Sequence, residues 1–135
     1  MDLARPVSSR FWRSHSGTAV VEFAFVLPIL LLLVFGITEF GRALMTSNVL
    51  YAAAREGARL AAVGRSSGDV AARIDAVLDA ANVADEGRTI TVTGPGTNHT
   101  ITVAVQADFA VVSGQVLPIP GTIRLAASTT MRSEL

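Results

Sequence analysis

Residues Thr18 to Thr38 read TAVVEFAFVLPILLLLVFGIT, and this stretch decides the architecture of the chain. From Phe23 to Ile37 it carries no charge, and Leu30 to Leu33 is an unbroken leucine run. A helix needs about 20 apolar residues to cross a bilayer, and counted from Thr18 the stretch reaches that length. Arg5, Arg10 and Arg13 precede it, opposed only by Asp2. That asymmetry keeps the N-terminus cytoplasmic and sends the residues from Glu39 onward outside. Pro28 lies within the span, where a local kink is tolerated. A cleaved secretory signal is the rival reading, with Gly36 or the alanines near Ala52 as cleavage sites. It fits less well, because the apolar run continues without a turn signal into helix-compatible sequence.

Glu22 is the one acidic blemish in the span. A carboxylate costs about 2.5–3.5 kcal/mol at the centre of a membrane segment and less near the end, where Glu22 stands. It can snorkel to the interface, or it can meet a cation. Cutting the chain after Gly17 would place the new α-amino group of Thr18 one helical turn from Glu22, in its own chain or a neighbouring one.

These residues resemble a known pattern. Gly17-Thr18-Ala19-Val20-Val21-Glu22-Phe23 looks like the processing motif of Flp-type prepilins and pseudopilins. Val21 to Ala43 closely resembles the signature of the TadE-like family of the tight-adherence (Tad) pilus system, a group that takes in TadE-, TadF- and TadG-type proteins. Asn48 followed by AAAREGARLAAV, Ala52 to Val63, is similar to the next part of the family pattern. The resemblance implies cleavage after Gly17 by a prepilin peptidase, with Thr18 as the mature N-terminus and Phe23 completing the motif. It also implies an assembly role for Glu22, a place in the bacterial inner membrane, and other Tad pilus subunits as partners. The alternative expectation is an unprocessed, membrane-tethered binding module.

The remaining chain is read from its residues. Glu39 to Val63 stays helix-compatible, so the membrane helix is expected to extend outward, with Gly64 to Gly68 as its stop. Ala54, Ala58 and Ala61, beside Gly57, are small residues at helical spacing that permit close helix approach. Glu56 and Arg59 stand three apart and pair on a helix surface. Arg55 and Arg59 repel one another, which points either to a solvated face or to an outside partner. Arg55, Glu56 and Arg59 are therefore expected interaction residues alongside Glu22.

A second helix is expected from Asp69 to Ala81, started by Ser67 or Gly68, with Val70, Ile74, Val77, Leu78 and Ala81 as its apolar stripe. Asp75 and Asp79 are four apart; two carboxylates are too few for a calcium site, and a solvated surface is expected. Thr89 to Thr93 and Thr100 to Phe109 alternate with period two around Gly94-Pro95-Gly96-Thr97-Asn98, which predicts an antiparallel hairpin. A crossing through Leu117-Pro118-Ile119-Pro120-Gly121 leads to a last strand, Thr122 to Met131. The many Thr side chains suit the solvent face of a sheet, and His99, inside a chance glycosylation sequon, is expected in an exposed turn.

The expected fold is thus α+β: a long N-terminal transmembrane helix extending outward, a second amphipathic helix and about three antiparallel strands. Its expected organisation is a basic leader over 1–17, a membrane helix over 18–38, a helical extension over 39–64 and a small extracytoplasmic domain over 65–135. Eleven acidic and eleven basic residues balance, and apart from Phe11 and Trp12 between Arg10 and Arg13 no aromatics interleave with the arginines, so nucleic acid is not an expected partner. There is no cysteine and only His15 and His99 as histidines. With no Gly-x-Ser-x-Gly, phosphate loop or paired histidines, no enzyme, cofactor, metal or small-molecule substrate is expected.

Overall fold

The computed structural model describes residues 15–96, 98–112 and 120–134. The elements follow one another as α1 (His15–Ala62), α2 (Ser67–Ala80), β1 (Thr89–Thr93), β2 (Thr100–Ala110) and β3 (Thr122–Arg132). This is the α+β class expected. The chain divides into two compact units between Val34 and Phe35. The expected leader lies largely outside the described residues, as do Leu117, Pro118 and Ile119 of the expected crossing.

In the N-terminal unit, α1 is long and apolar enough to cross a membrane. Most of its large apolar side chains are exposed to the surroundings, Phe25 at 75 % and Ile29 at 70 %. Such a surface is costly in water and favourable in hydrocarbon. Pro28 sits inside the helix, where its missing N–H removes one backbone hydrogen bond.

In the second unit, α1 changes from uniformly apolar to two-faced. Leu50, Ala53, Ala54, Ala58 and Ala61 are buried, three to four residues apart. The helix closes as expected near Gly64. The Gly64 N–H donates to Ala61 O at 3.0 Å and the Arg65 N–H to Leu60 O at 3.2 Å, with Gly64 at φ +81°. This pair of bonds satisfies orphan carbonyls of the last turn and needs a left-handed residue at Gly64.

α2 begins earlier than its expected start. Ser66, not Ser67 or Gly68, is the N-cap: its Oγ accepts from the Asp69 N–H at 3.1 Å. A cap side chain reaches the third residue of the helix, which puts Asp69 in the first turn, where its charge suits the helix dipole. Val70, Ile74 and Leu78 are fully buried and Val77 partly so. Ala81 departs from the expected stripe: it is the C-cap and exposed, because the helix has ended before it can turn that residue inward.

The sheet is an antiparallel meander, β1-β2-β3, with β2 in the centre. Ile90 pairs with Val105 and Val92 with Val103; on the other side Val105 pairs with Ala127 and Ala107 with Leu125. Residues directly opposite share a face, so these pairs build one apolar surface. Ile101, Val103, Val105, Ala107 and Phe109 are all buried, as their period-two spacing predicts, while Thr89, Thr91 and Thr93 are exposed.

The core joins this face to α1 and α2. Gly57 is where they come closest: a Cβ there would stand 2.5 Å from Ile74 Cδ1 and 3.4 Å from Val103 Cγ1. The small residues of α1 therefore serve packing within the chain. The last strand is tied back as well, with the Ser133 N–H donating to His99 O and the Glu134 N–H to Ala62 O. His99 itself is exposed, in the turn expected for it.

Candidate interaction sites on the long helix

Gly17, Thr18, Glu22 and Phe23 all lie in the first turns of α1, and each is exposed. Helical geometry sets Thr18 and Glu22 one turn apart on the same side. Phe23 is 58 % exposed beside them. The arrangement offers a carboxylate at the head of an apolar surface, accessible to another chain.

Further along, Glu56 is the hub of an ionic cluster. Its Oε1 meets Arg59 Nη2 at 3.2 Å, as the spacing predicts, and Arg73 Nε of α2 at 3.4 Å. The Arg59 hydrogen bond, with the Arg73 contact adding to it, holds the Glu56 carboxyl below its ordinary pKa against the opposing effect of burial. Glu56 thus clips α1 to α2. Arg55, one residue earlier, is exposed and has no ion-pair partner among the described residues. It lines a shallow hollow with Asn48, Tyr51, Ala52 and Glu56.

The structure adds groups that sequence reading missed. Glu39, expected only to mark the exit from hydrocarbon, is an anchor for the sheet. Its Oε1 accepts from the Val112 N–H at 2.8 Å and its Oε2 from Arg42 Nη1 at 2.9 Å. The Arg42 guanidinium in turn lies 5.0 Å from the centroid of the Phe109 ring, within cation–π range. The Glu39–Arg42 spacing was visible as a helix pair; no local signal pointed to Val112.

Asp75 and Asp79 are not simply a solvated surface. Arg88, with its side chain only 8 % exposed, reaches Asp75 at 3.0 Å, Asp79 at 2.9 Å and Asp85 at 2.8 Å through Nη1. Its Nη2 donates to Val83 O at 2.7 Å. Burial acts to lower the Arg88 pKa; the hydrogen bonds to Asp79 and Asp75 and the charge of Asp85 outweigh it, so the group is held above its ordinary value. The two helix carboxylates are gathered onto the segment leading into β1. Their charges face the internal Arg88 cation.

No group of three or more His, Asp or Glu side chains among the described residues is arranged to hold a metal ion. Among the described residues, α1 presents exposed apolar surface, the Glu22 carboxylate near its head and the Arg55 guanidinium outside any ion pair.

Residues 17–59 match the family model described as TadE-like protein. The chain therefore carries a TadE-like segment, over most of the stretch whose motifs resemble that family. It covers the whole apolar run together with Glu39, Arg42, Arg55, Glu56 and Arg59. No curated protein matches the chain, and no solved structure matches it.

Proposed function

We propose that the chain is a minor pseudopilin, a membrane-anchored assembly component of a Tad-type (Flp) pilus. One observation carries this reading: the TadE-like match begins at Gly17 and runs through the helix that is long and apolar enough to span a membrane. The order Gly17, Thr18, Glu22, Phe23 stands at the head of that same helix.

On this reading residues 1–17 form a cytoplasmic leader that a prepilin peptidase removes, and 18–38 hold the chain in the inner membrane. Residues 39–64 and 65–135 form the extracytoplasmic part. Glu22, in a surrounding where a lone carboxylate is expensive, is matched by the α-amino group created at Thr18. Its partners are other subunits of the pilus machinery, and its role is mechanical rather than catalytic.

N-terminal sequencing and intact mass of the chain purified from its native membrane test the proposal. A mature chain beginning at Thr18 supports it. An intact leader turns the reading into a tethered binding module, and cleavage beyond residue 36 into a secreted protein. A second test replaces Glu22 with Ala. Insertion into the membrane should persist while co-purification with other pilus components is lost; wild-type co-purification would remove the assembly role.

A further inference from the structure

β3 forms one edge of the sheet, and the bonds at its two ends fix which of its backbone groups are free. The Val111 N–H donates to Gly121 O and the Ser133 N–H to His99 O. Both pairs continue the β2–β3 register, in which Thr122 faces Ala110 and Arg132 faces Thr100. Alternate residues of an antiparallel strand bond to the same neighbour, so the odd-numbered residues of β3 bond to β2. The N–H and C=O groups of Thr122, Arg124, Ala126, Ser128, Thr130 and Arg132 therefore point outward in the plane of the sheet, and no described group bonds to them. By the same alternation, the shorter β1 directs only Ile90 and Val92 outward. Sheets shield an open edge with a proline, a bulge, charged side chains or a covering segment. β3 has no proline, pairs with β2 without a break, and carries Arg124 and Arg132 as its only charges. The core thins along the same edge. Phe109, Ala107 and Ile101 of β2 are buried, whereas Ile123 opposite Phe109 is 49 % exposed and Leu125 and Met131 are only partly buried.

We propose that this edge takes an extended strand of a different protein, added to the sheet beside β3. The incoming strand sets apolar side chains beside Ile123, Leu125 and Met131, and a carboxylate opposite Arg132. Charge selects a foreign strand. Arg124 is held by Asp108 at 3.0 Å, but Arg132 is exposed and has no ion pair among the described residues. The edge strands of a second copy are β1, which has no charged residue, and β3 itself, whose charges are both arginine. Neither supplies a carboxylate. In the full-length antiparallel register of two β3 strands, Arg124 of one would lie diagonal to Arg132 of the other, in repulsion. The inference goes beyond the assembly reading and holds for an anchored and a released chain alike.

The full-length chain, carrying the photo-crosslinker p-benzoylphenylalanine at Ser128 of β3 or at Thr91 of β1, is expressed in its native host cells and irradiated. Both positions are exposed on the face away from the helices. The expected adduct forms from position 128 several-fold above position 91. It joins a different chain, at a segment where apolar and polar residues alternate and an Asp or Glu is present. Ala126→Pro removes one outward N–H and keeps the bonds to β2, a place where an edge strand tolerates proline, and should lower the adduct several-fold. Arg132→Glu should lower it as much through charge, and Arg132→Lys should retain it. These two variants carry the test if Ala126→Pro loses amide-exchange protection along β2. No adduct, or equal adducts from both edges, overturns the docking edge. An adduct of twice the monomer mass overturns the foreign strand in favour of a second copy. An adduct that survives both Ala126→Pro and Arg132→Glu overturns strand addition.

Discussion

Glu39 and Val112 stand 73 residues apart and are joined by a 2.8 Å hydrogen bond from the Val112 backbone N–H to the Glu39 carboxylate. Val112 lies two residues beyond the end of β2, after the buried Phe109 and Val111. One side chain on α1 therefore holds the far end of β2, and Arg42, paired with the same carboxylate, covers the Phe109 ring. Replacing Glu39 with Ala removes a charge-assisted acceptor and should cost about 1–3 kcal/mol. Glu39→Gln retains an acceptor and should cost less. Native-state hydrogen exchange at the β2 amides reads both; an unchanged protection in Glu39→Ala would show that the contact carries no stability.

Gly57 makes a sharper steric prediction. Its Cβ would overlap Ile74 Cδ1 at 2.5 Å, in a core where space is already filled. Gly57→Ala should destabilise the second unit by about 1–3 kcal/mol despite the better helix propensity of alanine. Adding Ile74→Val removes the offending methyl, so the double variant should recover part of the loss relative to Gly57→Ala. Additive losses in a double-mutant cycle would contradict close approach at this point.

Arg88 gathers three carboxylates with a side chain that is 8 % exposed. Arg88→Met would leave Asp75, Asp79 and Asp85 facing one another. Breaking a fully buried pair costs about 3–5 kcal/mol, and because these carboxylates are themselves substantially exposed, about 2 kcal/mol is expected. Arg88→Lys should recover little, since an ammonium cannot reach the carboxylates and Val83 O in the same planar fork. Equal stability of Arg88→Lys and the parent chain, by urea titration, would show that charge alone suffices.

The Glu56 cluster should be sensitive to acid. Arg59 first, and Arg73 after it, lower the folded pKa of Glu56 below the ordinary 4.5. A carboxylate depressed in this way contributes stability that is fully present above the unfolded value and is lost as pH falls through the folded one. The stability difference between the parent and Glu56→Gln should therefore be level near neutrality and shrink only below about pH 4.5. A difference that instead shrinks between pH 8 and 6 would assign the effect to another group.

Much of this protein was legible along the chain because its strongest signals are local. An uncharged run from Phe23 to Ile37 gives a helix long and apolar enough to cross a membrane, and strict alternation from Thr100 to Phe109 leaves a strand one face to bury. Gly64 at the end of an alanine-rich stretch announces the helix stop that its positive φ then makes. The motif from Gly17 to Phe23 was met only as a resemblance to a family pattern; helical geometry adds that Thr18 and Glu22 share a side.

Tertiary structure decided which charges are spent inside the chain and which are left for others. By spacing, Asp75 and Asp79 were a solvated pair and Glu39 a boundary marker. Arg88 and Val112 gave them their roles, and both come from segments whose position depends on the whole sheet. The same holds for the small residues around Gly57, which could have served a neighbouring helix until Ile74 and Val103 were found against them. Local periodicity sets which side of an element turns inward; which element meets it there depends on chain-distant packing, and no short-range pattern encodes that.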